Sequence, residues 1–278
     1  MRDIPSPVLV TGASTGIGRA TVRALVGRGV DTVASVRSDA DAQGLLDELG
    51  EQHLTVLQFD ITDSDAVTER ISSLDALGAI VNNAGTAVPG PLEYLDPADL
   101  RWQLEVNTVG HVVATQAALP LLREHGEGAR IVNIGSMAGR VSGRMVGAYS
   151  MSKFAMAAFS DALGQELEPF GIGVALIEPG AIDTEIWETS TARSRDMLAA
   201  MPEEVHERYG EMVEDTLKVG ARSARLAISP ERVVKVIIDV LTARHPRPRN
   251  LVGIDAKAAG LVARLPTELR TPILKQVL

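Results

Sequence analysis

The run from Pro7 to Val36 constrains the fold of this 278-residue chain more than any other stretch. Pro7-Val8-Leu9-Val10-Thr11 is short, apolar and β-prone, which predicts a strand. It stops at a glycine cluster, Gly12-Ala13-Ser14-Thr15-Gly16-Ile17-Gly18. From Arg19 to Arg28 the apolar positions Ala20, Val22, Ala24, Leu25 and Val26 predict a helix with a buried face, closed by Gly29. Thr32-Val33-Ala34-Ser35-Val36 predicts the next strand. A glycine-rich turn between a strand and a helix lets the backbone approach a pyrophosphate, while the helix start offers free N–H groups and a positive dipole end. The spacing is G-x-x-x-G-x-G, not the commoner G-x-G-x-x-G. Its place between strand and helix favours nucleotide binding over an ordinary turn.

The same alternation continues. A helix is expected over Asp41–Leu49, a strand over His53–Phe59, and a helix capped by Asp63 with Val67 and Ile71 inward. Ala79-Ile80-Val81 reads as a fourth strand, followed by a long helix from Asp96-Pro97 to Leu122. Arg130–Ile134 is a fifth strand, and a helix through Tyr149, Leu163 and Leu167 ends at Gly171. Gly173–Ile177 is a sixth, broken by Pro179-Gly180. Ser229-Pro230-Glu231 caps a helix over Val233–Leu241, and Asn250–Gly253 is a short seventh strand. This order predicts one α/β domain built on a doubly wound parallel sheet. Composition agrees: hydrophobic residues are 45% of the chain but aromatics only 3%, so Val, Ile, Leu and Ala must build the core, as a buried parallel sheet requires. Residues 183–226 turn polar and helix-prone, with Met197, Met201 and Met212, and read as an inserted substrate lid. The tail, residues 256–278, is amphipathic, and packing over the pocket or against another subunit fits it better than membrane contact.

In doubly wound sheets, ligands sit outside the carboxyl ends of the strands. The second strand ends at Ser35-Val36-Arg37, where an acidic residue would bind an adenosine ribose. Arg37 suits a 2′-phosphate instead and favours NADP over NAD, with Asp39 and Asp41 nearby as a counterweight. Asp60, next to Ile61, can reach an adenine ring. Asn82-Asn83-Ala84-Gly85 lets the backbone pass close to a ligand. Asn107 is a poor helix former, yet Val106, Val109, Val112 and Val113 surround it, so a buried, bonded side chain fits better than a solvent-facing one. Tyr149 and Lys153 stand four residues apart on one helical face. A cation there is expected to lower the tyrosine pKa and let the phenol exchange a proton with an alcohol or carbonyl oxygen.

Taken in order, Thr11 to Gly18, Asp60, Asn82 to Gly85, Asn107, Ser136, Tyr149-x-x-x-Lys153 and Pro179-Gly180 with Thr184 resemble the short-chain dehydrogenase/reductase family over residues 7–253. The resemblance implies a Rossmann-type seven-stranded parallel sheet with helices on both faces, often in dimers or tetramers. It implies hydride transfer between NADP(H), or NAD(H), and a secondary alcohol or ketone. Tyr149 is then the acid/base and Ser136 the donor that holds the reacting oxygen. Lys153 lowers the tyrosine pKa and bonds the nicotinamide ribose, and Asn107 supports a water leading from the lysine to solvent. Gly12, Ser14, Thr15, Gly16, Ile17, Gly18, Asp60, Ile61, Asn83, Ala84 and Gly85 fall among the cofactor contacts, with Pro179 and Gly180. Ile182 and Thr184 match positions that bind the carboxamide and phosphates. Gly135 departs from the pattern, since many members carry a second serine there. Lys153-Phe154, Phe159–Leu163, Glu178-Pro179-Gly180 and Val252–Lys257 look like the retinol and hydroxysteroid dehydrogenase branch, which implies a lipophilic substrate.

Other chemistries find little footing. A net charge of −9 argues against a nucleic-acid surface, and the lack of cysteine removes disulfides, thiolate nucleophiles and cysteine metal sites, in keeping with a cytoplasmic setting. No signal peptide and no membrane insertion are expected. His53, His111, His125, His206 and His245 are scattered without metal-ligand spacing, and no G-x-S-x-G occurs. The rival is a nucleotide-sensing binding protein on the same fold, which the filled catalytic positions disfavour.

Overall fold

The computed structural model describes residues 2–185 and 202–277. Seven parallel strands form one sheet in the order β3-β2-β1-β4-β5-β6-β7. They are β1 (Val8–Val10), β2 (Thr32–Val36), β3 (Leu54–Gln58), β4 (Ala79–Asn82), β5 (Arg130–Ile134), β6 (Gly173–Pro179) and β7 (Arg249–Val252). The helices are α1 (Gly16–Val26), α2 (Asp39–Leu49), α3 (Ser64–Ser72), α4 (Pro97–Leu104), α5 (Gly110–His125) and α6 (Gly147–Leu167). Beyond the undescribed residues come α7 (Glu203–Arg225), α8 (Pro230–Thr242), α9 (Ile254–Val262) and α10 (Thr267–Val277). The doubly wound prediction holds.

Strand periodicity divides the core. Val8, Val10, Ala34, Val81, Val132 and Ile177 face one helical layer with Val22, Leu25 and Ile237. Leu9, Val33, Ile80, Ile131 and Val174 point the other way, onto Ile71, Ala114, Leu122 and Leu163. Every residue of β1, β2, β4 and β5 is buried, which explains why these strands are mostly apolar and show no alternation. Each large apolar side chain so enclosed contributes about 1.5–3 kcal/mol.

Local boundaries differ from expectation where polar capping decides them. Helix α1 starts at Gly16 and stops at Val26 with Gly27 as its C-cap, so Gly29 lies beyond it in a left-handed turn. Ser38 caps α2 by accepting from Asp41 N, which starts that helix two residues early. Strand β6 runs through Pro179, paired with Val252, because at the strand's end the missing N–H costs nothing. The long helix from Pro97 is broken by a π turn over Glu105–Val109, with Asn107 inside it.

Between β1 and β4 the winding reverses, and the loops that leave them are welded together. Thr11 Oγ1 accepts from Asn83 N at 2.9 Å and Ala84 N at 3.2 Å. Asn83 Nδ2 donates to Thr11 O at 2.9 Å and Gly12 O at 3.0 Å. Gly12, at φ +64°, approaches so closely that a Cβ there would lie 2.7 Å from Ala84 Cα. A Cβ at Gly18 would stand 2.2 Å from Gly12 O and 2.5 Å from Asn83 Nδ2. Gly18→Ala is therefore expected to lower stability by about 1–3 kcal/mol, seen as a lower urea midpoint, whereas Gly44→Ala, with open space around it, leaves the midpoint unchanged or raised.

Candidate active site

A cavity of about 790 Å³ opens along the carboxyl edge of the sheet. The glycine loop supplies Gly12, Ser14, Thr15, Gly16 and Ile17, and the next two strands supply Arg37, Asp60 and Ile61. Asn83, Ala84 and Gly85 enter from the β4 loop, Ser136, Tyr149 and Lys153 from β5 and α6, and Pro179, Gly180, Ile182 and Thr184 from the end of β6. Two predicted site residues do not line it. Gly18 packs behind Gly12, as described above, and Asn107 lies fully buried behind the β4 loop.

Asn107 is a tie. Its Oδ1 accepts from Thr86 N at 2.8 Å, and its Nδ2 donates to Thr86 O at 2.9 Å and Ser152 Oγ at 3.0 Å. Ser152 Oγ donates in turn to Tyr149 O at 2.7 Å. The π turn thus joins the β4 loop to the helical turn that carries Tyr149. One turn further on, His111 Nε2 lies 2.7 Å from Ala84 O. Burial holds that imidazole neutral, with its pKa pushed down to about 4, so it packs against the loop and does not carry charge.

Behind the wall a buried amide ladder fixes the strand ends. Asn82 Nδ2 donates to Thr115 Oγ1 and Asn133 Oδ1, both at 2.8 Å, and Asn133 Nδ2 donates to Ser160 Oγ at 2.8 Å. Such a network inside a low-dielectric core locks β4, β5, α5 and α6 in register. Ser136 follows β5 and caps a short 3₁₀ turn, Met137–Gly139, by accepting from Ala138 N at 3.1 Å. Gly139 lets that turn sit on α6, since a Cβ would be 2.6 Å from Lys153 O. At Gly135 a Cβ would stand 2.9 Å from Leu176 Cδ1, which accounts for the glycine where a serine is common.

Lys153 is buried, and its Nζ donates to Ile134 O at 3.0 Å and lies 5.7 Å from the centre of the Tyr149 ring. Burial pushes its pKa down to about 8. The expected lowering of the Tyr149 pKa is not present: burial pushes the phenol up, and a hydrogen bond with Ser136 is what opposes it. A helical turn of separation puts the ammonium beside the ring, where it bonds a carbonyl and not the phenol oxygen.

The glycine-loop end of the cavity has features that a dinucleotide would need. Gly12 and Gly16 both have positive φ, and the space before them would be filled by any Cβ; Thr184 Cγ2 sits 3.0 Å from where the Gly16 Cβ would be. Arg37 is exposed and makes no ion pair or hydrogen bond through its guanidinium among the described residues, while Asp60 is held by Thr62 N and Oγ1 at 2.9 and 2.7 Å. Asp255 was missed as a positioning residue. It accepts from Ala181 N at 2.6 Å, and a Cβ on Gly180 would collide with its carboxylate. The Gly-x-Asp spacing after β7 was the available signal.

The other end of the cavity is lined by Val88, Pro89, Trp102, Val141, Val146 and Leu217, with Thr216 and Ser223. Only long-range packing brings these together, so no local motif announces them. Helix α7 contributes Leu217, and its outer end is held to the turn at Leu92–Tyr94. Tyr209 Oη donates to Glu93 Oε2 at 2.5 Å, Arg208 Nη1 to Tyr94 Oη at 2.7 Å, and the two tyrosine rings meet edge-on at 5.9 Å. Of the expected lid, residues 186–201 lie outside the described residues. The tail forms α9 and α10, with Leu261 and Leu269 more than half exposed.

The short chain dehydrogenase family profile matches residues 6–195, more than half of the chain. The chain belongs to this family. It is 35% identical to a 3-amino-tetrahydro-pyrrolizinone reductase of Xenorhabdus hominickii over 90% of this chain and 87% of that protein. It is 34% identical to retinol dehydrogenase 5 of Mus musculus over 98% and 88% respectively, in the branch that its later segments resemble. A short-chain dehydrogenase from Burkholderia cenocepacia, solved in complex with NADP, superposes with a TM-score of 0.72 at 26% identity, covering 92% of this chain and all of that one. This short-chain dehydrogenase is thus an NAD(P)-dependent oxidoreductase acting on a small molecule. Among its described residues no helix is long and apolar enough to cross a membrane, and no cluster of His, Cys, Asp or Glu could hold a metal.

Below about pH 8 Lys153 is charged in both folded and unfolded chains; between there and 10.5 only the unfolded chain keeps the proton, so this lysine adds stability as pH rises through that window. At neutral pH its burial costs roughly 3 kcal/mol, against about 1 kcal/mol returned by the bond to Ile134. Lys153→Met should therefore raise the thermal midpoint of the cofactor-free protein at neutral pH, with the gain shrinking above pH 8, as calorimetric scans across pH would show.

Proposed function

We propose that this short-chain dehydrogenase transfers hydride between NADP(H) and a lipophilic secondary alcohol or ketone, of steroid-, retinoid- or long-chain-like character. The observation that carries the reaction is the meeting of Ser136, Tyr149 and Lys153 in one wall of the cavity that the glycine loop also lines. A bound nicotinamide dinucleotide supplies or accepts the hydride. The Tyr149 hydroxyl gives its proton to a carbonyl oxygen during reduction, or takes one from the alcohol during oxidation. The Ser136 hydroxyl donates to that same oxygen and holds it in place. Lys153 keeps positive charge beside the phenol, and Asn107, through Ser152, holds the helical turn that presents Tyr149.

NADP over NAD rests on Arg37, whose free guanidinium stands at the end of β2 where a 2′-phosphate binds. The lipophilic substrate rests on Val88, Trp102, Val141 and Leu217 in the far half of the cavity. Residues 183–226 serve as the lid, supported by Leu217 and Ser223 of α7 in the cavity wall. Asn83 and Ala84 act through their backbone, because the Asn83 amide is spent on the β1 loop. A cytoplasmic setting and assembly into a dimer or tetramer complete the proposal; the apolar Val109 and Met151, 42% and 45% exposed on neighbouring turns, support the latter.

Tyr149→Phe is expected to lower kcat by about 10²–10⁴-fold while NADPH affinity, measured by fluorescence titration, stays nearly unchanged; undiminished turnover contradicts the proposed acid/base. Arg37→Asp should weaken NADPH binding by about ten-fold or more and leave NADH binding equal or tighter. A panel in which only small polar carbonyls oxidise NADPH, with steroids, retinoids and long-chain ketones inert, sinks the lipophilic assignment.

A further inference from the structure

Beside the active-site cavity lies a second one of about 430 Å³, between the turn that follows β5 and helix α10. Val141, Phe154 and Leu274 supply its apolar lining. Its rim carries four cationic side chains, Arg140, Arg144, Arg270 and Lys275, and among the described residues no carboxylate lines it. In a chain of net charge −9, such a cluster is not a background property of the surface.

The four cations are not equivalent. Arg140 is already compensated, donating to both oxygens of the buried Glu178 carboxylate at 2.8 and 2.5 Å. Arg144 donates to the main-chain oxygen of Lys275 at 2.9 Å, which neutralises nothing but holds the guanidinium in place. Arg270 reaches only the Thr267 hydroxyl, at 3.5 Å, and the Lys275 ammonium has no partner among the described residues. Three positive charges therefore surround an apolar lining with no acidic side chain among the described residues to answer them. Val141, Gly143 and Arg144 line this space and the active-site cavity alike, so the two share a wall.

We propose that this second cavity receives an anionic group, a carboxylate, sulfonate or phosphate, carried at the far end of the substrate whose reacting oxygen lies at Ser136 and Tyr149. The inference rests on the oxidoreductase function proposed above and sharpens its substrate class to an amphiphile: an apolar body for the main cavity and an anion for the cationic rim. Arg144, fixed by the α10 backbone, is pre-organised for a two-oxygen contact, and Arg270 and Lys275 add charge from the same helix. A free inorganic anion offers the same chemistry from a different source.

The test uses two ketones of equal length, one ending in a carboxylate and the other in its methyl ester. NADPH oxidation is followed with the full chain and with the double variant Arg270→Gln, Lys275→Gln. Binding of the carboxylate ketone to NADP-loaded protein is measured in parallel by calorimetry. The expected result is a kcat/KM about ten-fold or more in favour of the carboxylate, carried by KM and lost in the double variant, with a matching loss of calorimetric affinity. Added sulfate should raise KM for the carboxylate ketone only. Equal kcat/KM for the two ketones, or a double variant that impairs both alike, overturns the inference. Sulfate binding that disappears in the double variant without any preference for the charged ketone assigns the cavity to a free anion and overturns the substrate assignment. If neither ketone, nor any other carbonyl, is turned over, the proposed oxidoreductase function fails separately, and calorimetry still decides here: carboxylate binding indifferent to the double variant overturns the inference, and a loss of about ten-fold or more supports it.

Discussion

The weld between the loops leaving β1 and β4 is the contact on which the rest of the site depends. A parallel sheet wound outward in both directions leaves a crevice where the winding reverses, and in this chain that crevice lies between β1 and β4. Thr11 and Asn83 close its floor with four hydrogen bonds, and only glycines at 12 and 18 allow the backbones to come so near. The floor sets the height of the glycine loop on one side. On the other it sets the loop from Asn83 to Thr86, which Asn107 grips. The helical turn bearing Tyr149 is then located through Ser152. The glycine loop and the turn bearing Tyr149 are thus positioned from a single point of the sheet.

Burying Lys153 runs against stability, the kind of opposition expected where a side chain is kept for function. An ammonium closed off from water, with one carbonyl for company, loses proton affinity and costs the fold free energy. Tyr149 is likewise made a weaker acid by its surroundings. Neither effect serves the protein alone. Both make sense in a cavity whose remaining wall is a cofactor, because a positive nicotinamide ring and its ribose are what would favour the charged phenolate and occupy the lysine.

Much of the fold was legible because each strand buried on both faces is mostly apolar without alternation, and each helix has a face to hide. The convergence of the glycine loop, Asp60, Asn83–Gly85, Ser136, Tyr149 and Lys153 on one cavity was legible for a related reason: at the carboxyl edge the pattern stops and small or polar residues stand where packing does not need them. The π turn at Asn107 was not legible, since a single extra residue in a helical turn leaves the apolar spacing nearly unchanged. The direction of the Tyr149 shift is not legible in the sequence, because a four-residue spacing specifies a shared face but not burial. Asp255 and the apolar half of the cavity were hidden because their partners lie far away in sequence: Asp255 accepts from Ala181 N, and Val88 and Leu217 line the same cavity though well over a hundred residues apart.

The chain has three tyrosines, Tyr94, Tyr149 and Tyr209, so a Tyr94→Phe, Tyr209→Phe background leaves the site tyrosine alone in the ultraviolet difference spectrum. Titrating that variant with and without NADP⁺ tests most directly whether Tyr149 and Lys153 are the proton-handling half of a site that the cofactor completes. Without cofactor the phenol should ionise above its ordinary value of 10.0, as burial dictates. With NADP⁺ bound the transition should move down by about one pH unit or more. An ionisation that stays where it was, or moves further up, when NADP⁺ binds would contradict the assignment of that pair to hydride-transfer chemistry.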